Sequence, residues 1–171
     1  RNISQCYNCD VYNNNETGII GNQVAIYNSR VYDNSGPGVT GCSLVSHSEI
    51  RDNNGHGLDC SMNQDVTIIN NTISNNNGGA IYGGNSIRNN TIENNTIAIH
   101  CSFDAADIVN NQILSNFHES DTIISGGLFI KDNYFYGNGD DDAFLINASL
   151  ESTIENNTFD SNQGYIHQFK Y

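Results

Sequence analysis

The sequence predicts an all-β solenoid of about eight coils, with three short strands in each coil. One observation behind this is an apolar anchor that returns at Val11, Val31, Ile50, Ile73, Ile92, Ile113, Phe135 and Phe159, at spacings of 20, 19, 23, 19, 21, 22 and 24 residues. A second is an asparagine three residues after every anchor: Asn14, Asn34, Asn53, Asn76, Asn95, Asn116, Asn138 and Asn162. The third is an apolar residue (a cysteine in the first repeat) five before each anchor: Cys6, Ile26, Val45, Ile68, Ile87, Ile108, Ile130 and Ile154. A period of about 21 residues means a stack of like units, each burying its apolar side against its neighbours.

The elements follow in order around one coil. The first strand centres five residues before the anchor and the second on the anchor itself. Both are short, β-branched and bounded by Asn and Gly, which is strand chemistry. A third apolar site follows roughly eight residues after the anchor, at Ile19, Val39, Leu58, Ile81 and Ile99. Glycines lie between the second and third strands, at Gly18, Gly36, Gly38, Gly55, Gly57, Gly78 and Gly79. They are expected to supply the positive φ of a turn. The inward asparagine sits at a bend, where its amide bonds the backbone and the next asparagine of an asparagine ladder. An unpaired buried amide costs about 1–3 kcal/mol, and a continuous ladder avoids that cost. Stacked coils about 4.8 Å apart make a rod roughly 38 Å long.

Bulk properties narrow the function. The net charge is −13, with six Lys and Arg in all. Such an acidic protein repels phosphate, which excludes nucleic acid as a partner and disfavours anionic membranes. No apolar run approaches the roughly 18 residues of a spanning helix, so membrane insertion is not expected. Thirty asparagines and a single proline give a low-complexity composition, but the phase-locked Ile and Val imply order. Residues 1–171 read as a single domain, and the start in mid-repeat at Arg1 suggests one excised from a longer chain.

Two other solenoids fail on the pattern. A leucine-rich repeat needs apolar residues two before and two after the anchor. Those positions here are Cys9, Ser29, Ser48, Asn71, Asn90, Asn111, Asn133, Asn157 and Asn13, Asp33, Asp52, Asn75, Asn94, Ser115, Gly137, Ser161. Hexapeptide helices demand near-constant multiples of six, which these spacings violate. The units Asn-Thr-Ile-Ser-Asn-Asn, ending at Asn76, and Asn-Thr-Phe-Asp-Ser-Asn, ending at Asn162, resemble the repeats of right-handed parallel β-helix proteins, the pectate-lyase-like superfamily. The resemblance covers essentially the whole chain and implies a right-handed parallel β-helix solenoid. The superfamily includes polysaccharide lyases, hydrolases and epimerases, tailspikes, adhesins and sugar-binding modules, so the fold alone does not select among them.

Outward stripes are where such a rod builds a site. Tyr7 and Tyr27 share one phase, Tyr12 and Tyr32 another, and Tyr134 and Tyr136 flank the anchor Phe135. Stacked tyrosines offer flat faces with hydroxyl rims to a sugar; they also pack well simply as cross-strand neighbours. One residue after the third-strand sites stand Asp59, Tyr82 and His100. On consecutive coils a carboxylate, a phenol and an imidazole are a catalytic candidate for proton transfer at a uronate C5. Uronate epimerases and some lyases of the superfamily use such groups, although their Asp-Pro-His-Glu motif is absent here. Pectate lyases usually employ Arg or Lys as base, and Arg30, Arg51, Arg88 and Lys131 do not converge on this stripe. Gly55-His56-Gly57 is similar to a polygalacturonase motif, but the accompanying acidic pair and Arg-Ile-Lys are missing, and the tripeptide reads as a turn.

Asp140, Asp141 and Asp142 follow a Gly-rich turn and make either a solvated acidic loop or, with outside ligands, a calcium site. Cys42 and Cys60 fall on neighbouring coils, within reach of a disulfide. Cys6 and Cys9 occupy ladder phases and read as buried thiols rather than zinc ligands. The seven Asn-x-Ser/Thr sequons arise from the repeat itself. Extra residues near 61–67, 119–123 and 140–152 are expected to form a shallow rim, and Tyr165, Ile166, Phe169 and Tyr171 to cover the C-terminal end. The leading expectation is an extracellular or cell-surface β-helix that binds, and in an enzymatic version processes, polysaccharide on its outer face. The alternative is a structural or adhesive rod without catalysis, whose open ends meet flanking domains or self-associate.

Overall fold

The computed structural model describes residues 5–101, 106–117, 122–140, 144–149 and 151–168. Among the described residues there are 22 strands and no helix, hence none long and apolar enough to cross a membrane. The strands wind as a parallel β-solenoid with three strands per coil. Its second face is an eight-stranded parallel sheet, about seven turns deep, running from Asp10–Tyr12 to Thr158–Asp160. The first and third faces belong to one 14-stranded sheet, because Ile19–Tyr27 and Val39–Ser46 run through the corner between them with only local register shifts.

Register follows the repeat. Every anchor pairs with the next, from Val11 on Val31 to Phe135 on Phe159. The first-face residues do the same from Cys6 to Ile154. The third face runs Ile19, Val39, Leu58, Ile81, Ile99 and then continues through Ile124, Ile146 and Ile166. Two of the expected rim segments therefore carry inward strand, in Thr122–Ser125 and Phe144–Ala148. Tyr165 and Ile166 form a further rung on Phe144 and Ile146, not a cover over the end, and both remain exposed. Phe169 and Tyr171 lie outside the described residues.

Two asparagine ladders line the core. In the expected one each side-chain amide donates to the next Oδ1 at 2.8–3.1 Å, from Asn14 to Asn162. The second, two residues before the anchors, links Asn71, Asn90, Asn111, Asn133 and Asn157 at 2.9–3.1 Å. Ser29 and Ser48 extend it, the Ser29 N–H donating to Ser48 Oγ and the Ser48 N–H to Asn71 Oδ1.

The turn chemistry differs from the expectation. Of the seven glycines assigned a positive φ, only Gly79 has one, at +106°. Left-handed backbone is instead carried by the residue before each ladder position. At one corner these are Asn8, Asn28, His47, Asn70, Asn89, Asn110, Asp132 and Asn156; at the other they include Asn13, Asp33, Asp52, Asn75 and Asn94. Short amide and carboxylate side chains tolerate that region better than other L-residues. The Asn-Asn pairs thus do two jobs, one residue turning the chain and the next filling the ladder. Gly18, Gly38 and Gly57 serve close approach: a Cβ on any of them would stand 2.8–2.9 Å from a ladder amide nitrogen.

Cys42 and Cys60 are bonded, with Cα atoms 5.1 Å apart. Cys6 and Cys9 are bonded to each other as well. This corrects the expectation of buried thiols there: both side chains are only half-buried, at the margin of the core.

Candidate functional site

Alternation along a strand turns the residue after each inward position outward. On the third face the pairing gives an outward column of Thr40, Asp59, Tyr82, His100, Ser125 and Asn147, one residue per coil. The three candidate catalytic residues are therefore adjacent in register. Every member of the column is half-buried, with a polar group at its tip.

The rings of this column stack. Tyr82 lies 4.8 Å from His100 on one side and 5.3 Å from His56 on the other, nearly parallel to both. Sequence reading placed His56 in a turn and missed it as a ring partner. The usable signal was its position two residues before the inward Leu58, on the coil next to Tyr82. Asp59 Oδ1 accepts from the Ser61 hydroxyl at 2.7 Å and from the Ser61 N–H at 3.3 Å, which fixes the carboxylate beside the rings.

Burial pushes His56 below the usual histidine range; His100 acts in the same direction, and Asp59 opposes it. The unfolded chain takes up that proton near about pH 6.5. Stability from the neutral imidazole is therefore present above about pH 6.5 and lost as pH falls from there through the depressed folded value. His56→Phe keeps a ring on Tyr82 and cannot charge. We expect its melting temperature to fall less than that of the parent between about pH 7.5 and about pH 5.5. Parallel curves for the two proteins would mean that His56 does not titrate differently on folding.

The other tyrosines form two columns and a pair. Tyr7 stacks on Tyr27 at 4.5 Å and Tyr12 on Tyr32 at 5.0 Å. Neighbouring rings thus cover each other's faces and turn edges and hydroxyls outward, because the coil spacing is close to the thickness of a ring stack. The Arg51 guanidinium lies 4.4 Å from the Tyr32 ring centre, closing its second face. Burial, then the neighbouring Tyr7 phenol, raises Tyr27 above the usual tyrosine value. Tyr134 and Tyr136 lie side by side at 6.3 Å, and the Tyr134 hydroxyl donates to Asp160 at 3.2 Å. These three groups do not converge with the Tyr82 column, which occupies a different face.

Among the described residues no group of three or more His, Cys, Asp or Glu side chains could hold a metal ion. Asp140 is half-buried, while Asp141 and Asp142 lie outside the described residues. The corner between the first two faces carries open grooves, lined in one place by Asn28, His47, Asn70 and Thr72 and in another by Asn89, Thr91, Asn110 and Gln112. Their shallowness contrasts with the concave pockets that enclose small molecules.

A family model described as right handed beta helix region matches residues 4–113. No curated protein matches the chain, and no solved structure does.

Proposed function

The chain belongs to the right-handed β-helix family, and from that premise we propose that it binds polysaccharide lengthwise along its outer surface, on the third face. The observation that carries the reading is the column Asp59, Tyr82 and His100, extended by Thr40, Ser125 and Asn147. It presents one hydrogen-bonding side chain per coil at a regular spacing of about 4.8 Å. A polymer of repeating units laid along the axis meets an equivalent contact at each step. Disulfides persist in oxidising compartments, so the Cys42–Cys60 and Cys6–Cys9 bonds support an extracellular or cell-surface setting.

We propose binding and not turnover as the activity of this column. Tyr82 is held between two imidazoles and Asp59 is engaged by Ser61. Both groups are tied into the chain's own contacts, which suits a rigid recognition strip better than a mobile acid–base pair. Tyr7, Tyr12, Tyr27, Tyr32, Tyr134 and Tyr136 remain secondary contacts, made through ring edges and hydroxyls. Calcium at Asp140, Asp141 and Asp142 is the cofactor option.

The test is a polysaccharide panel, run with calcium and with EDTA. Tyr82→Ala should weaken retention roughly tenfold, about 1.4 kcal/mol, and Tyr82→Phe, which keeps the ring stack but removes the hydroxyl, should lose most of that affinity too. Tyr12→Ala with Tyr32→Ala should have the smaller effect. No retention on any polymer would leave a structural or adhesive rod as the better account.

A further inference from the structure

The cations on the surface bear on which polysaccharide is bound, and this step rests on the binding reading above. Four Lys and Arg residues are described, and each already faces acid. Arg30 grips Asp10 through two nitrogens, with the Nε–Oδ1 distance 2.7 Å. Arg51 reaches Glu49 at 2.7 Å and Asp52 at 2.5 Å. Arg88 pairs with Asp107, and Lys131 meets Glu155 at 2.6 Å. The coil register sets the pairing directly in two cases, since Asp10 and Glu155 stand opposite Arg30 and Lys131 on the adjacent strand, while Arg88 reaches diagonally to Asp107, which stands opposite Ser86. Hydrogen bonding to these carboxylates raises Arg30, Arg51 and Lys131 above their usual values.

A polyuronate needs positive groups for its carboxylates, bidentate arginine being the best suited. Exposed pairs such as these are individually weak, so an incoming uronate could displace one. The exchange, however, leaves the displaced Asp or Glu facing the polymer's next carboxylate, and like charges at an interface are costly. The Arg51 group carries two acids on one guanidinium and is negative before any ligand arrives. Arg51 is also the cation on the tyrosine column, its plane laid over Tyr32. The third-face column itself holds a carboxylate, a phenol, a hydroxyl and an imidazole, with no Lys or Arg. The net charge of −13 adds a long-range barrier of the same sign.

We infer that the ligand is an uncharged polysaccharide, recognised by its hydroxyl groups, and that acidic glycans are rejected because every described surface cation is already paired in place with acid.

The experiment is affinity electrophoresis of the intact chain through gels containing a neutral glucan, a neutral mannan, polygalacturonate or alginate. It is run in EDTA at low and at physiological ionic strength. Retardation by a neutral polymer, with none by either polyuronate, is the expected result. Retardation tenfold stronger on a polyuronate than on the neutral gels would overturn the inference and leave polysaccharide binding standing. Failure on all four polymers withdraws the binding reading and this inference with it. A gain-of-function arm frees one cation: Glu49→Gln with Asp52→Asn leaves Arg51 uncommitted and keeps an Asn at a left-handed position. That variant should acquire polyuronate retardation at low ionic strength, and its failure to do so would count against cation pairing as the cause of rejection.

Discussion

Asn95→Ala should lower the melting temperature by roughly 6–12 °C, about 3 kcal/mol, whereas Asn162→Ala should cost roughly 2–4 °C, about 1 kcal/mol. Asn95 is 2% exposed and sits in the middle of the ladder. Its Nδ2 donates to the Ile73 and Glu93 carbonyls and to Asn116 Oδ1, at 2.9–3.1 Å. Its Oδ1 accepts from both the N–H and the Nδ2 of Asn76 at 3.0 Å. Alanine strands the Asn76 N–H where water cannot reach it, takes one donor from the Ile73 carbonyl, and leaves a small void in the ladder. Asn162 makes similar bonds, accepting from Asn138 and donating to Phe135 and Asp160. It is half-buried on the last described rung, so water replaces what the amide gave. Equal thermal shifts for the two variants would show that the ladder is not what holds the coils together.

The same contrast explains how far the sequence could be read. Anchors and ladder phases were legible because burial fixes one residue type per coil and leaves only the spacing to vary. The third strands at Ile124 and Ile146 were not, because the stretch from ladder asparagine to inward residue grows from five residues after Asn76 to eight after Asn116 and Asn138. The second ladder was masked by Ser29 and Ser48, which occupy its first inward positions with a hydroxyl instead of an amide. Glycine was credited with the turns because it is the default left-handed residue; here polar L-residues take that conformation in every coil, and most corner glycines make room for a neighbour. The outward columns were visible as phases, yet which way a ring turns depends on what stacks against it. His56 was legible as a corner residue and illegible as Tyr82's partner for that reason.

Gly57→Ala should destabilise by about 2–3 kcal/mol, roughly 4–12 °C, and His56→Gly in the same chain should restore more than half of the loss. A Cβ on Gly57 would lie 2.9 Å from the Ala80 carbonyl oxygen, 2.9 Å from Asn76 Nδ2 and 3.0 Å from Ile73 Cγ2. None of these atoms is free to retreat. The Ala80 carbonyl accepts from the Leu58 N–H at 2.8 Å, Asn76 is locked in its ladder, and Ile73 is fully buried. The next coil nonetheless carries Ala80 at the equivalent inward corner, with its side chain buried. What differs is the residue before it: Gly79 has a φ of +106°, while His56 is not in the left-handed region. On a corner of this length a positive φ there redirects the chain and is expected to open space for the methyl group; Ala98, buried after Ile97 without a positive φ, sits on a corner one residue shorter. His56→Gly with Gly57→Ala reproduces the Gly79-Ala80 pair, at the expense of the His56–Tyr82 stack. The His56→Gly single variant measures that separate cost, so a double-mutant cycle isolates the coupling. A cycle showing no coupling would mean that the corner path is set elsewhere. Strong coupling would tie the outward column to the scaffold: a histidine that serves the ring column obliges its neighbour to be glycine, and so trades corner stability for a ring on the strip proposed to bind polymer.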